Sequence, residues 1–272
     1  MNKINKIITY ILLIVISIWT LFPLYYLFLT SIKPRNLLFE ANPAFFFTPN
    51  LESYKNIFVA STYGKFYINS ILVTIPVTIL TVLLGSFGSF AFSNFKFKKK
   101  EILFFLILFV RMFPPVTTLI PVYLIIGSLK LLDSRLALIL VLTSFQIPLV
   151  MLILRGFFEG IPSSIMESAE LDGCTPWRVF ISIVLPLAKP SLFASGILVF
   201  VMNWNEFLFP LVLTSVDAVT LPVAVASFLE SEGMIQWGAV SALASTAIIP
   251  IIVFGIFMNK FLVKGLMAGS FK

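Results

Sequence analysis

Histidine is absent from this 272-residue chain, cysteine occurs once, at Cys174, and charged residues make up only 11% of it. The first two scarcities exclude a disulfide framework and a Cys/His metal site within one chain. The third excludes more. A soluble domain carries about 25% charged residues, and a surface short of them cannot be covered by burying the remainder. A cytosolic enzyme, a disordered chain and a nucleic-acid module are thereby ruled out. No Gly-x-x-x-x-Gly-Lys-Ser/Thr run occurs, so the chain has no phosphate-binding loop with which to hydrolyse ATP. What is abundant is apolar: 59% of the residues are hydrophobic, with thirty Phe. The composition is that of an all-α integral membrane protein.

Six apolar stretches are long enough to cross about 30 Å of hydrocarbon as helices. They lie near 8–30, 67–93, 102–127, 136–156, 190–215 and 239–260. The first is too long for a cleaved signal peptide and ends in Phe22-Pro23-Leu24-Tyr25-Tyr26 rather than small residues, so it reads as a span. Lys and Arg are distributed unevenly among the connections. One side collects twelve of them, in the 1–7, 94–101, 155–189 and 260–272 regions; the other collects six, at Lys33, Arg35, Lys55, Lys65, Lys130 and Arg135. Cationic residues accumulate on the cytoplasmic side, which predicts that both termini are cytoplasmic. The outer connections are then about 31–66, 128–135 and 216–238, the last bearing only Asp217, Glu230 and Glu232 as charges.

Pro76, Pro114, Pro115, Pro121, Pro148, Pro210 and Pro250, with Gly85, Gly88 and Gly196, interrupt the spans. Such breaks survive in a membrane only where neighbours or water satisfy the freed carbonyls. Ordinary kinks and a bundle that must bend and reopen both fit this pattern.

The inner segment 157–189 is longer and more polar than a connection requires. Ser164 precedes Glu167 by three residues, the spacing of a capping box, and Gly173 suits a left-handed C-terminal cap. A short helix over about 164–173 follows, with Glu167, Glu170 and Asp172 as its acids. Too short to stand alone, it needs something to dock against. Thr175 and Pro176 then mark the start of a second helix. Trp177, Phe180, Ile181 and Val184 share one face of it, and Pro186 and Pro190 break it before the fifth span.

Glu167-Ser168-Ala169, three residues, Gly173, nine residues, then Ile183-Val184-Leu185-Pro186 resembles the EAA motif of binding-protein-dependent ABC transporter permeases. Every spacing matches, and Ser168 is the one departure, a small residue for a small one. From about residue 67 onward the chain is also similar to carbohydrate-uptake permeases of the MalG type. The likeness is carried by Arg111-Met112-Phe113-Pro114-Pro115, Ile120-Pro121-Val122-Tyr123, Leu132-Asp133-Ser134 and Leu154-Arg155-Gly156-Phe157-Phe158. Asn203-Trp204-Asn205-Glu206-Phe207 and the tail Leu262–Ser270 extend it. Residues 1–66 are less diagnostic.

The resemblance implies a type I ABC importer permease fold of six transmembrane helices in the cell membrane. Residues 1–66 would hold the first helix and an outer segment, 67–260 the five-helix core, and 261–272 a cytoplasmic tail. Glu167, Ser168, Ala169, Asp172 and Gly173 would form the coupling helix docked on an ATPase, with Leu185 and Pro186 setting its angle to the fifth span. The implied partners are a MalF-like second permease in a heterodimer, two ATP-binding subunits, an extracytoplasmic solute-binding protein, a sugar and membrane lipid. ATP and Mg would be bound by the ATPase, and this chain would carry no cofactor, metal or catalytic residue. Glycerol phosphate is the alternative cargo.

Ionisable groups inside a membrane are functional candidates. Arg111 and Glu206 are expected to face the interior and stabilise one conformation together with Asn203, Asn205 and Gln146. An ion-coupled secondary transporter would be expected to carry several such acids and a repeat, and neither is found. The lack of His and of paired intramembrane acids weighs against a membrane-embedded hydrolase.

Overall fold

The computed structural model describes residues 3–40, 42, 44–58, 63–230 and 237–269; side chains are described except at 3, 63, 228–230 and 258–269. Within them every regular element is helical. Four helices are each long and apolar enough to cross a membrane: α1 (Lys3–Ser31), α3 (Tyr63–Asn94), α6 (Arg135–Glu159) and α12 (Trp237–Gly269). Two bent pairs make six if each pair counts as one span: α4 (Lys100–Val110) with α5 (Pro115–Ser128), and α8 (Pro176–Leu187) with α9 (Lys189–Trp204). Short helices complete the chain: α2 (Glu52–Phe58), α7 (Ser163–Leu171), α10 (Leu208–Leu213) and α11 (Leu221–Glu230).

The expected spans over 102–127 and 190–215 are each interrupted, the first by the α4–α5 bend and the second between α9 and α10, while the 76° bend between α8 and α9 lies just before residue 190. Between α4 and α5 the axis turns by 89°. Pro114 and Pro115 remove two successive amide donors, and Pro114 itself is extended (ψ 131°), so the helix stops and restarts instead of kinking. Where α9 ends at Trp204, two side chains fold back onto its last turns. Asn203 Nδ2 donates to the Val199 carbonyl at 2.8 Å and Asn205 Nδ2 to the Val201 carbonyl at 2.7 Å. The tail motif at Leu262–Ser270 and the acids Glu230 and Glu232 fall outside the described side chains.

Contacts divide the chain into two compact units, Met1–Tyr67 with Val223–Pro250, and Ile68–Pro222 with Ile251–Lys272. In the first, Ser31 Oγ and Tyr54 Oη share a hydrogen bond of 2.7 Å, and the Asn50 amide donates to the Ile32 carbonyl at 2.8 Å. These bonds tie α2 and the chain before it to the end of α1.

In the second unit α3 crosses α6 through small residues. A Cβ on Gly85 would sit 2.6 Å from Val150 Cγ1, so only glycine permits this approach. One turn on, Ser89 Oγ donates to the Gly85 carbonyl at 2.7 Å and to the Met151 carbonyl on α6 at 3.1 Å. Close backbones and interhelical hydrogen bonds are what hold helices together where lipid removes the hydrophobic incentive. Val73, Val77, Leu138, Leu142, Phe209 and Leu213 form one core; Phe90, Val150, Leu154, Phe180, Val184 and Val199 belong to a second.

Candidate functional site

The 157–189 segment forms two helices joined by a tight turn. α7 starts with Pro162 at its N-cap and has no side-chain cap bond, which corrects the expected Ser164–Glu167 capping box. Ser164 lies inside the first turn, where its carbonyl accepts from Ser168 Oγ at 2.8 Å. The C-terminus follows expectation. Gly173 has φ +75°, its amide donates to the Glu170 carbonyl, and the Cys174 amide donates to the Ala169 carbonyl. This pair of bonds is the Schellman arrangement, and it needs a residue free to adopt positive φ.

One face of α7 is fastened and the rest is bare. Ala169 is buried in the core containing Phe90, Leu154, Phe158, Val179 and Phe180. Glu167, Ser168, Glu170, Asp172 and Gly173 are exposed. Leu171, which the sequence reading passed over, is 89% exposed at the centre of that bare face. Its signal was available: an apolar residue amid three acids cannot lie on the helix's inner face if Ala169 does, since positions two apart point in different directions.

The second helix caps as anticipated, with Thr175 Oγ1 accepting from the Arg178 amide at 3.3 Å. Its middle turn, Phe180–Val184, is widened to the π form. Pro186 supplies the reason: in an α-helix its ring would meet the carbonyl four residues back, and the wider turn relieves that clash. The widening divides the anticipated apolar face. Phe180 and Val184 are buried, whereas Trp177 and Ile181 stay exposed. Phe180 packs its ring 4.8 Å from Phe90 and 5.3 Å from Phe87 on α3, while Trp177 stacks on Phe87 at 5.7 Å. The helix does not break at Pro186 or Pro190. It turns through 76° at the fully buried Ala188, and Leu185 and Pro186 line a groove of about 780 Å³ with Val82, Ser86 and Phe87 of α3.

The polar groups expected to act together inside the membrane separate into two sets. Arg111, at the α4–α5 bend, donates from Nη1 to the Phe145 carbonyl at 3.1 Å and to Gln146 Oε1 at 3.0 Å. Glu206 is not its partner. The Glu206 carboxylate accepts from the amides of Leu208 and Phe209 at 3.1 and 3.4 Å, capping α10. Asn203 and Asn205 end α9, so of the proposed companions only Gln146 joins Arg111.

Asp133 is a further organising residue. It is held at φ +55° between α5 and α6. Its two carboxylate oxygens accept from the backbone amides of Ser215, Val216, Asp217 and Ala218 at 2.9–3.1 Å, and from Ser215 Oγ at 3.1 Å. Burial on its own raises this carboxyl, but the amides of Asp217, Ala218, Ser215 and Val216 outweigh it and hold the group far below the ordinary carboxylate range. Asn69 secures the same strand of chain, donating to the Asp217 and Val219 carbonyls at 2.9 Å while its Oδ1 accepts from Arg135 Nε at 2.8 Å. The 214–221 segment is thus pinned by its backbone.

These features belong to a multi-pass membrane protein of transporter type: bent spans, and an exposed acidic helix anchored to the core through Ala169 and Met166. The model of the family described as binding-protein-dependent transport system inner membrane component matches residues 82–267, and the chain belongs to that family. It is 33% identical to the trehalose transport system permease protein SugB of Mycobacterium tuberculosis, over 93% of each chain. It is 32% identical to the diacetylchitobiose uptake system permease protein DasC of Streptomyces coelicolor, over 95% of this chain and 94% of that one. A chain from the crystal structure of a bacterial ABC transporter involved in the import of the acidic polysaccharide alginate superposes with a TM-score of 0.78 at 22% identity, across 99% of this chain and 97% of that one. The fold is that of an ABC importer permease.

Proposed function

We propose that the chain is one of two permease subunits of an ATP-driven importer of di- or oligosaccharides, and that α7 is its coupling helix. The relatives named for trehalose and diacetylchitobiose support the cargo class. A second permease completes the pathway, an extracytoplasmic binding protein delivers the sugar, and two ATPase subunits bind ATP and Mg. Both termini and the 157–189 segment face the cytoplasm, where the ATPases are.

The observation that carries the coupling role is the bare face of α7. A nine-residue helix cannot hold itself together in water, yet this one presents Glu167, Glu170, Leu171 and Asp172 outward and sets only the buried Ala169 and the half-buried Met166 against the core. The acids pair with basic groups of a partner, Leu171 enters an apolar pocket between them, and the turn at Gly173 lets the two backbones approach. Closure of the ATPases pushes α7, and the shared core hands the displacement to α9 as a rigid-body change.

Leu171→Glu tests this. A residue so exposed contributes little to folding, so the protein should insert at its normal level. Co-purification of the ATPase subunits should fall about tenfold or more, and uptake of labelled disaccharide by the reconstituted complex should fall with it. Normal co-purification and normal uptake in that variant would remove α7 as the coupling element.

A further inference from the structure

Lys33 lies two residues beyond α1 and is only 5% exposed. A buried ammonium needs an anion to offset its lost hydration, and among the described residues no carboxylate supplies one. Its Nζ instead stands over the rings of Tyr26 and Phe47, 5.6 Å from each centroid. Ring faces attract a cation without neutralising it.

Lys33 lines a cavity of about 560 Å³ whose other walls include Phe22, Leu27, Trp237 and Ser241. The surroundings are built: the Ser31–Tyr54 hydrogen bond and the Asn50-to-Ile32 amide bond hold the two residues that lead into the lysine. On the α1 side, Phe22, Tyr25 and Phe28 are exposed on a helix apolar enough to cross a membrane. The lysine therefore sits where a spanning helix ends, at the depth of lipid headgroups, with Tyr and Trp beside it as at membrane interfaces.

We infer that this cavity binds one anionic phospholipid, its phosphate on Lys33 and its glycerol and upper acyl carbons against Phe22, Leu27 and Trp237. A single cation in a mostly apolar recess at the end of a helix apolar enough to span a membrane suits an amphiphile with one negative charge. A small soluble anion would satisfy Lys33 and leave the aromatic walls uncovered.

The test uses the complete transporter purified from membranes of equal parts phosphatidylglycerol and phosphatidylcholine, with retained lipids counted by native mass spectrometry. Wild type should keep one phosphatidylglycerol that Lys33→Leu loses, with occupancy falling at least about fivefold, whereas Lys33→Arg keeps it. Excess soluble glycerol 1-phosphate should not displace the lipid. Equal retention in Lys33→Leu, or equal retention of phosphatidylcholine at the site, would overturn the assignment. So would displacement by glycerol 1-phosphate, which would make a soluble anion the occupant. If Lys33→Leu fails to assemble, Lys33→Gln makes the same comparison: lost phosphatidylglycerol supports the site and unchanged retention refutes it.

Discussion

Gly173 separates two reasons for which a glycine could be required at the end of α7. Its φ is +75°, and a Cβ there would meet no atom within 4 Å. Inside the chain a side chain therefore costs only backbone strain, about 1–2 kcal/mol for an ordinary L-residue and less for Asn, which tolerates the left-handed region. The strain falls on the last turn of a nine-residue helix and does not reach the core around Val150 and Leu154. Gly173→Ala, Gly173→Asn and Gly173→Asp should therefore all insert, with unfolding midpoints within about 8 °C of wild type. If the partner's backbone lies against the turn, any side chain obstructs it. Docking of the ATPase subunits should then fall in order of size, Ala retaining the most and Asn and Asp losing about tenfold or more. Strain alone gives the opposite order, with Asn best tolerated and Ala worse. Co-purification and sugar-dependent ATP hydrolysis of the reconstituted complex read the order directly. Normal docking by Gly173→Asn beside impaired docking by Gly173→Ala would place the requirement in the turn itself and refute close approach.

Three other perturbations follow from distances already given. Gly85→Ala would place its Cβ 2.6 Å from Val150 Cγ1 and 2.9 Å from Val150 Cβ, overpacking the α3–α6 crossing by about 1–3 kcal/mol; Val150→Ala removes only the first of these clashes, so the double variant should recover part of that loss in thermal unfolding, and strict additivity would contradict the contact. Asp133→Asn replaces an acceptor of several amides by a group that also donates, at a cost of about 1–3 kcal/mol. Because the folded carboxyl titrates below its unfolded value near about 4, its contribution is fully present above that value and is lost as pH falls toward the depressed one. The gap in melting temperature between wild type and Asp133→Asn should thus stay constant from about pH 8 to about pH 5 and narrow only below about pH 4; a gap that closes at higher pH would contradict the amide cluster. Arg111→Leu removes two hydrogen bonds that join the α4–α5 bend to α6, and should cost about 1–2 kcal/mol while slowing uptake. Unchanged stability and uptake would end any role for Arg111.

The parts of the fold that could be read in the sequence are those set by local chemistry. Spans follow from apolar length, and the start of the second inner helix from Thr175 and Pro176. The turn at Gly173 follows from the one residue type that accepts positive φ without strain. The bends and partners were hidden because each depends on residues far apart in the chain. Pro114 and Pro115 announce an interruption, but the 89° turn depends on where α5 finds its packing against Leu138 and Phe209. Glu206 looked like an intramembrane charge seeking Arg111, and it is used within three residues, on the amides of Leu208 and Phe209. The capping-box spacing misled for a comparable reason: Pro162, one residue before the helix, already starts it, leaving Ser164 inside. Asp133 could not be foreseen as a cluster centre, because the amides that surround it lie more than eighty residues later.

If α7 is the coupling helix, the route by which a push on it would reach the membrane is constrained by what it touches. The linking turn through Gly173 is short, and a flexible tether would dissipate the displacement. The path that exists is packing: Ala169 of α7, Phe180 and Val184 of α8, Ala188 at the 76° corner and Val199 of α9 belong to one buried cluster. Phe90 of α3 and Leu154 of α6 belong to the same cluster, so the proposed lever shares a core with two spanning helices. Packed interiors shift between discrete arrangements and do not deform continuously. A displacement imposed at Leu171 therefore either carries α8 and α9 with it as one body or separates Phe180 from Phe87 and Phe90. The corner at Ala188 has no exposed surface and no side chain large enough to lever apart, which favours motion of α8 and α9 as one body.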